Sequence, residues 1–490
     1  MYRKLIFIFA CLIIHSSIFA NFDFNNNCNK TFCQILNLEF EKAKRNIENE
    51  KKVNPENKLI YYFENYLSFF KTITSDSEDC YFAYKNKFKN NLYNLEKANK
   101  ESPYYLYTQA DLHFQTAILS YKFKDYIFAS YHFYKAQSLI ILNYKKHPNF
   151  YQNHKLIGSI NLMINSIPSD YKWLANLFAI NGSINSGIKE LEYYYLKSQK
   201  SIFNTESIIF LSFAYQYFIQ KNKRGYVFFN QINKNNLQNP IISLLYAKAC
   251  IKADKNDEAI DFVNNYLNKT EFPIIKYSYY LLGTAKLNRL DSDADIYLKK
   301  YLNSYKGKSF IKASYQKLAW FYLINKNYNK YKVNINNVRN KGFVNTEADK
   351  QAFLEANQSD KINEVLLKSR LLFDGGYFIE AEKLLFENSA IGNSSIKQNS
   401  LEYIYRLARI NHKLNRAEAK KYYKRVIKEG REMPNYFAKN SALQLALIYE
   451  SELDFEEAEF YFKKCLQIKS NQYKRSIQFK AKAGLNRIKK

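Results

Sequence analysis

Turn-forming residues are scarce in this chain, with 12 glycines and 7 prolines among 490 residues. That excludes a collagen-like or low-complexity chain, and it leaves too few turn residues for an all-β fold with a turn every few residues. After the first twenty residues no stretch reaches 18 uninterrupted apolar residues, so no spanning helix is expected in the remainder. There is no His-Glu-x-x-His and no Gly-x-Ser-x-Gly. "GSINSGIK" (182–189) has loop-like glycine spacing, but Ile188 separates Gly187 from Lys189 and no Ser or Thr follows. A phosphate loop needs that lysine beside the glycine, so two helix-ending glycines are the reading. His113 and His132, on opposite sides of one hairpin, read as surface or groove histidines. No metal, no cofactor and no catalytic residues are expected, and the chain reads as a non-enzyme.

What is present points to helices. Apolar residues make up 47% of the chain, and 490 residues exceed one ordinary core, so several domains or an extended repeat array are expected. The formal charge is +29. Lys, Asn, Ile, Tyr and Phe are abundant while Arg is scarce, a composition that drift in an AT-rich genome produces. The charge is scattered rather than gathered in one tract, so nucleic acid is not expected as a partner. The basic run from Lys469 to Lys490 fits a solvated helix face or a peripheral envelope contact.

The first twenty residues have the form of a secretory leader: Arg3 and Lys4, an apolar run from Leu5 to Ile14, and Ala20 at the expected cut. Ile8-Phe9-Ala10-Cys11 loosely resembles a lipidation box, which leaves an acylated Cys11 as an alternative. Five cysteines follow. Cys28 and Cys33 are close enough in sequence to pair in an oxidising compartment, whereas Cys250 and Cys465 fit helix faces as small apolar residues.

Small residues recur in pairs. Ala446 and Ala458 are twelve apart in "LQLALIYESELDFEEAEFYFKKCLQI" (443–468), as are Ala117 and Ala129, Ala247 and Ala259, and Ser369 and Ala381; Ala408 and Ala419, and Gly283 and Ala294, are eleven apart. Two helices that cross closely admit only small side chains at the crossing, and larger ones such as Phe462 then fill the groove to the next pair. Six such units imply an all-α solenoid of helical hairpins.

The expected organisation is a leader (1–20), a first array (21–337) with an irregular insertion near 156–198, a polar connection (338–360), and a second array (361–490). Residues 33–100 read as two hairpins, with Pro55 opening a helix, and 471–488 as a capping helix with Ile477, Ala481, Leu485 and Ile488 on one face.

These repeats resemble the tetratricopeptide superfamily. With "SPYYLYTQADLHFQTAILSYKFKDY" (102–126), "NSIPSDYKWLANLFAINGSINSG" (165–187), "LNRLDSDADIYLKKYLNSYKGKSFIKASYQKLAWFYL" (287–323) and "DKQAFLEA" (349–356), the chain more narrowly resembles exported tetratricopeptide proteins of the Bacteroidetes. The resemblance implies a right-handed superhelix whose concave groove takes protein or peptide ligands. Transferring the groove positions selects Asp111, Phe114, Ile118 and Tyr121, then Leu244, Lys248 and Lys252. The late units give Glu402, Tyr405, Arg409, His412 and Lys413, followed by Asn440, Leu443, Leu447 and Glu450. The Lys and Asn clamp with which some members hold a chaperone's C-terminal carboxylate is absent from the corresponding places. An exported protein-binding scaffold in a Gram-negative envelope, periplasmic or bound to the outer membrane, is the expectation. A glycan- or nutrient-binding component of an outer-membrane uptake system is the alternative.

Overall fold

The computed structural model describes residues 22–163, 183–219, 223–358, 362–470 and 472–488. Among them the chain is all α-helix with two short 3-10 turns and no strand. It forms two compact units, one of residues up to Ala249 with Lys269–Ile275, the other of Cys250–Asn268 with Lys276–Lys490. Within each unit successive helices pair as hairpins that stack on the next pair, the construction of an α-solenoid.

The small pairs do what their spacing implies. Ala117, Ala129, Ala408, Ala419, Ala446 and Ala458 are buried. A side chain on Gly283 would meet the backbone oxygen of Ala294 and the Leu298 side chain within about 3 Å. Ser369 Oγ donates to the Ala381 carbonyl at 3.4 Å.

A second period is superimposed on the first. Seven residues after the small position of each first helix stands a residue in the left-handed region: Lys124, Asp254, Leu290, Lys326, Gly376, Asn415 and Leu453. The next amide in each case donates back five residues, as Asp125 N does to Ser120 O at 2.8 Å and Asp454 N to Tyr449 O at 3.0 Å. This is the six-to-one bond of a Schellman cap, which closes the helix and turns the chain. Only one of the seven is glycine, and an L side chain there costs roughly 1–2 kcal/mol. The cap at Lys326 follows Ala319, marking one more hairpin, Ile311–Ile324 with Tyr328–Asn340, that the pairs alone do not reveal.

Several local expectations need correction. Pro55 lies in a turn; the helix it was to open starts at Leu59, whose amide is capped by Asn57 Oδ1 at 3.1 Å. Gly187 ends no helix. It sits in the first turn of Ile184–Ser198 and packs backbone to backbone on Gly158 of Asn153–Met163, where a Cβ on either would come within 2.9 Å of the other's carbonyl oxygen. Pro168 and Gly182 lie outside the described residues, as do the leader and Cys11.

In the polar stretch 338–360, Glu347–Ala356 is a helix with a capping box between Thr346 and Asp349. Buried Asp349 also accepts the amides of Phe310 at 2.8 Å and Ala313 at 3.1 Å, fastening this helix to the start of Ile311–Ile324. The division into compact units falls instead near 249–276. Thr346 and Asp349 serve a helix end here, while Arg339, Asn340, Lys341 and Glu347 face solvent.

Lys474–Ile488 ends the described chain, burying Ile477 and Ala481, with Gly484 against the Phe462 ring and Leu485 and Ile488 partly covered. No described helix is long and apolar enough to cross a membrane.

Candidate functional site

Two places concentrate buried charge. In the first unit Lys155, on Asn153–Met163, has no solvent exposure. Its ammonium lies 2.9 Å from Asp111 Oδ2 and 3.0 Å from Glu206 Oε1, both carboxylates also buried. Tyr62 donates to Asp111 at 2.6 Å, Tyr194 donates to Glu206 at 2.6 Å, and Tyr66 donates to Glu206 as well. Burial opposes the lysine charge, but the two carboxylates outweigh it and hold the pKa well above its ordinary value. This network is sealed among rings, with the ammonium 5.7 Å from the centre of Tyr66 and 5.3 Å from that of Tyr107.

The second unit has a small cleft that opens to solvent. Its walls come from successive levels of the stack. Trp320, Glu355 and Arg370 form one side; Glu402 and Arg406 of Lys397–Lys413 the middle; Asn435, Tyr436 and Phe437 the other. Arg370 Nη1 lies 3.4 Å from Glu355, its Nη2 donates to Tyr473 at 3.2 Å, and its guanidinium covers the Trp320 ring at 4.6 Å. Trp320 Nε1 donates to Glu355 at 2.7 Å. Lys317 covers the same ring at 4.8 Å, and burial, with Arg370 nearby, lowers its pKa to about 8.

Arg406 is 2% exposed. Its Nε donates to Glu402 at 3.1 Å and its Nη2 to the same carboxylate. Burial works against the charge, and Glu402 with Tyr436 more than compensates, so the guanidinium remains charged. Its Nη1 makes no hydrogen bond within the chain. Neither side-chain atom of Asn435 does, though that residue is 5% exposed. A buried polar atom without a partner costs about 1–3 kcal/mol, and more when charged. Arg406 and Asn435 both line the cleft, while the three unpaired atoms themselves are buried and mark unmet polarity beside it.

Of the groove residues selected from sequence, only Glu402 lines this cleft. Tyr405 is buried instead of exposed: it stacks on Phe437 at 4.9 Å, and its hydroxyl accepts from Asn440 at 2.6 Å. Arg409 covers the Phe373 ring at 4.0 Å and lies 3.7 Å from Asp374. His412 Nδ1 is 3.3 Å from the Tyr423 hydroxyl, and burial, with Lys413 and Arg409, lowers its pKa to about 4. Lys413 pairs with Asp254 at 2.9 Å. Glu450 pairs with Arg487 at 2.7 Å, and Phe114 and Leu443 are buried.

In the first unit Lys248 donates to Tyr217, and Tyr121 meets Tyr126 edge to face at 5.5 Å. Lys252 is half-buried and belongs to the second unit.

Cys28 and Cys33 do not pair. Both lie on Asn26–Leu36, and five residues turn a helix by about 140° beyond a full revolution, placing them on different faces. Cys28 is buried beside Asn57 and Cys33 is exposed; burial pushes the Cys28 thiol up to about 12. Cys250 and Cys465 are buried. His113 and His132 are buried too, with their Nδ1 atoms 2.7 Å apart. Among the described residues no group of three or more His, Cys, Asp or Glu is placed to hold a metal.

Sequence reading passed over Arg370, Arg406 and Asn435. Glu402 and Arg406, four apart on one helix, look like an ordinary solvated pair. The usable signal was the use of Arg at 370, 406 and 409 in a chain that otherwise prefers Lys. Arginine is the cation that keeps its charge when buried and presents a planar fork.

No family model and no curated protein matches the chain. Among solved structures, the crystal structure of yeast Tom70 aligns with 94% of this chain and 95% of its own length, at 12% identity and a TM-score of 0.24. A superposition that loose carries no weight, and the fold stands on its own hairpins, caps and crossings.

Proposed function

We propose that the chain is a non-enzymatic scaffold of tetratricopeptide-like hairpins that binds a protein or peptide segment in the cleft of its second unit. The observation that carries this is the set of charged and amide side chains, Glu402, Arg406 and Asn435 among them, that line the cleft across successive hairpins. Each is held on or beside a packed helix, so little ordering entropy is lost when a ligand completes its bonds. Export to a bacterial envelope is part of the same reading and rests on the leader pattern of residues 1–20 alone.

The test is site-specific photocrosslinking of the full chain in its native envelope, with the reactive group at Asn399. A discrete protein adduct that disappears in Asn435→Asp supports the reading. Adducts no different from those formed at an exposed position such as Lys383 would sink it. A sequencing read of the mature N-terminus checks export separately.

A glycan ligand is the second reading, favoured by the many amide side chains that line the cleft, among them Gln398 and Asn399. Trp320 speaks against it: the ring is 3% exposed, with Lys317 and Arg370 over it, and offers no open platform for a sugar. An acylated Cys11 in the intact mass, together with glycan binding that fails in Asn435→Asp, would favour it.

A further inference from the structure

Two stretches of the first unit, distant in sequence, carry positive charge and no acid. Residues 80–95 and 126–146 contain Lys85, Lys87, Lys89, Lys135, Lys145 and Lys146 without one Asp or Glu. They make up most of two helices, Glu78–Leu95 and Tyr126–Lys146. Acids stand only at the margins: Glu78 and Asp79 in the first turn of one helix, Glu96 just past its end, and Asp125 ahead of the other. Glu101 lies 3.6 Å from Lys146.

The fold sets these helices side by side. Phe88 meets His132 edge to face at 5.1 Å. The Lys85 ammonium lies 5.1 Å from the centre of Phe82 on its own helix and 5.7 Å from that of Phe128 on the other. The inner faces are packed, with Tyr84, Phe88, Ala129 and Phe133 buried. The outer faces are apolar as well. Phe82 and Tyr93 are each 58% exposed, Ile127 is 67% exposed, and Tyr131, Ile141 and Leu142 are 42–49% exposed. On Tyr126–Lys146 the last four fall within an arc of about 100°, along a helix about 30 Å long. A helix that is apolar on its outer side as well as its inner one has a second surface to meet.

The lysines lie against the rings of this face. The Lys135 ammonium is 5.8 Å from the centre of Tyr131, and that of Lys97 is 3.8 Å from Tyr93. Aliphatic tips, tyrosines and lysines in one face match the layers of a bilayer surface. The tips enter the acyl boundary, the tyrosines stay at the interface, and the ammonium groups reach anionic headgroups. A second copy of the face would set lysine against lysine. The basic C-terminal helix Lys474–Ile488 differs, because there Phe479 alone is an exposed large apolar side chain.

We infer that the outer face of Glu78–Leu95 and Tyr126–Lys146 docks on a lipid bilayer rich in anionic headgroups. The first unit lies on that surface, since no described helix is apolar enough to span it. The inference is independent of the cleft.

The experiment is co-sedimentation of the full chain with vesicles of phosphatidylcholine, with and without phosphatidylglycerol. The anionic vesicles should bind about tenfold more tightly or better. A formal charge of +29 attracts the whole chain to them, so the deciding variant leaves charge untouched. Phe82→Ser, Ile127→Ser and Tyr131→Ser combined should weaken binding about tenfold or more. Ile127→Trp should shift its emission to the blue on these vesicles and be quenched by brominated lipid. Ile379→Trp, exposed in the second unit, should do neither. All these positions are exposed, so the variants keep the fold.

Full binding by the serine variant would trace the attraction to bulk charge or another part of the chain and overturn the inference. An unshifted emission from vesicle-bound Ile127→Trp would overturn it too. Equal binding to neutral vesicles would overturn the anionic preference. No binding to either vesicle, with self-association that the serine variant abolishes, would assign the face to a second copy.

Discussion

Lys155 in the first unit and Arg406 in the second are both cations withdrawn from solvent, and their surroundings differ. Around Lys155 two carboxylates and three tyrosine hydroxyls close the network, and rings seal it. Around Arg406 one carboxylate takes two of the guanidinium nitrogens, and the third is buried without a hydrogen-bond partner. The ammonium of Lys155 is answered by charge on two sides, whereas Arg406 is answered on one. Unpaired buried polar atoms occur in both units, on Asn65 and Gln115 of the first as on Arg406 of the second, so the difference lies in how each cation is paired.

The largest effect should come from breaking the closed network. Lys155→Met removes the cation paired with Asp111 and Glu206, and stranding buried carboxylates costs about 3–5 kcal/mol. Chemical denaturation with hydrogen exchange should show early opening of the first unit's helices and unchanged protection in the second. Equal loss in both would mean that the network is not local.

Acid should divide the units next. His113 and His132 are lowered to about 4 and about 3, in each case first by burial; Lys135 adds to this for His113, and His113 itself does so for His132. The unfolded chain takes up these protons near pH 6.5, and the fold refuses them until its lower pKa values. Stability from the pair is therefore complete above pH 6.5 and is lost as pH falls through 4, on the order of 3 kcal/mol for each histidine by then. His412 adds a single site of the same sign in the second unit. Unfolding midpoints measured from pH 7 to 4 should fall more steeply for the first unit. His113→Gln with His132→Gln should flatten that difference.

Arg406→Met sharpens the contrast from the other side. Glu402 is 18% exposed, so losing its partner leaves a carboxylate that water can reach. A stability cost of about 1 kcal/mol is expected, well below that of Lys155→Met, with ligand binding lost. Thermal unfolding and a binding assay on one preparation separate the two.

The smallest effect belongs to Lys413→Ala, whose pair with Asp254 is solvent-facing; it should shift stability by under about 1 kcal/mol and leave binding at the cleft intact.

The architecture was legible in the sequence to the extent that it is written in local spacing. Pairs such as Ala446 with Ala458 lie where helices touch, and that constraint acts within some twelve residues. The caps were invisible because Lys124, Leu290 and Leu453 do a glycine's work without being glycine. The site was largely hidden for a different reason. Tyr405 belongs to the groove face by its helical position, but Phe437 and Asn440 of the next hairpin cover it. Which residues remain open is decided between repeats, and a position carried over from one repeat does not contain that information.

The left-handed caps also leave the molecule room for improvement. Six of the seven carry a side chain that glycine would not strain, and none of the six lines the cleft. Replacing Lys124 or Leu453 by glycine should raise the melting temperature slightly, since relief of the left-handed strain exceeds glycine's entropic cost by a few tenths to about 1 kcal/mol. Evolution has left these turns below their optimum, and an engineer could harden the frame there without touching the cleft.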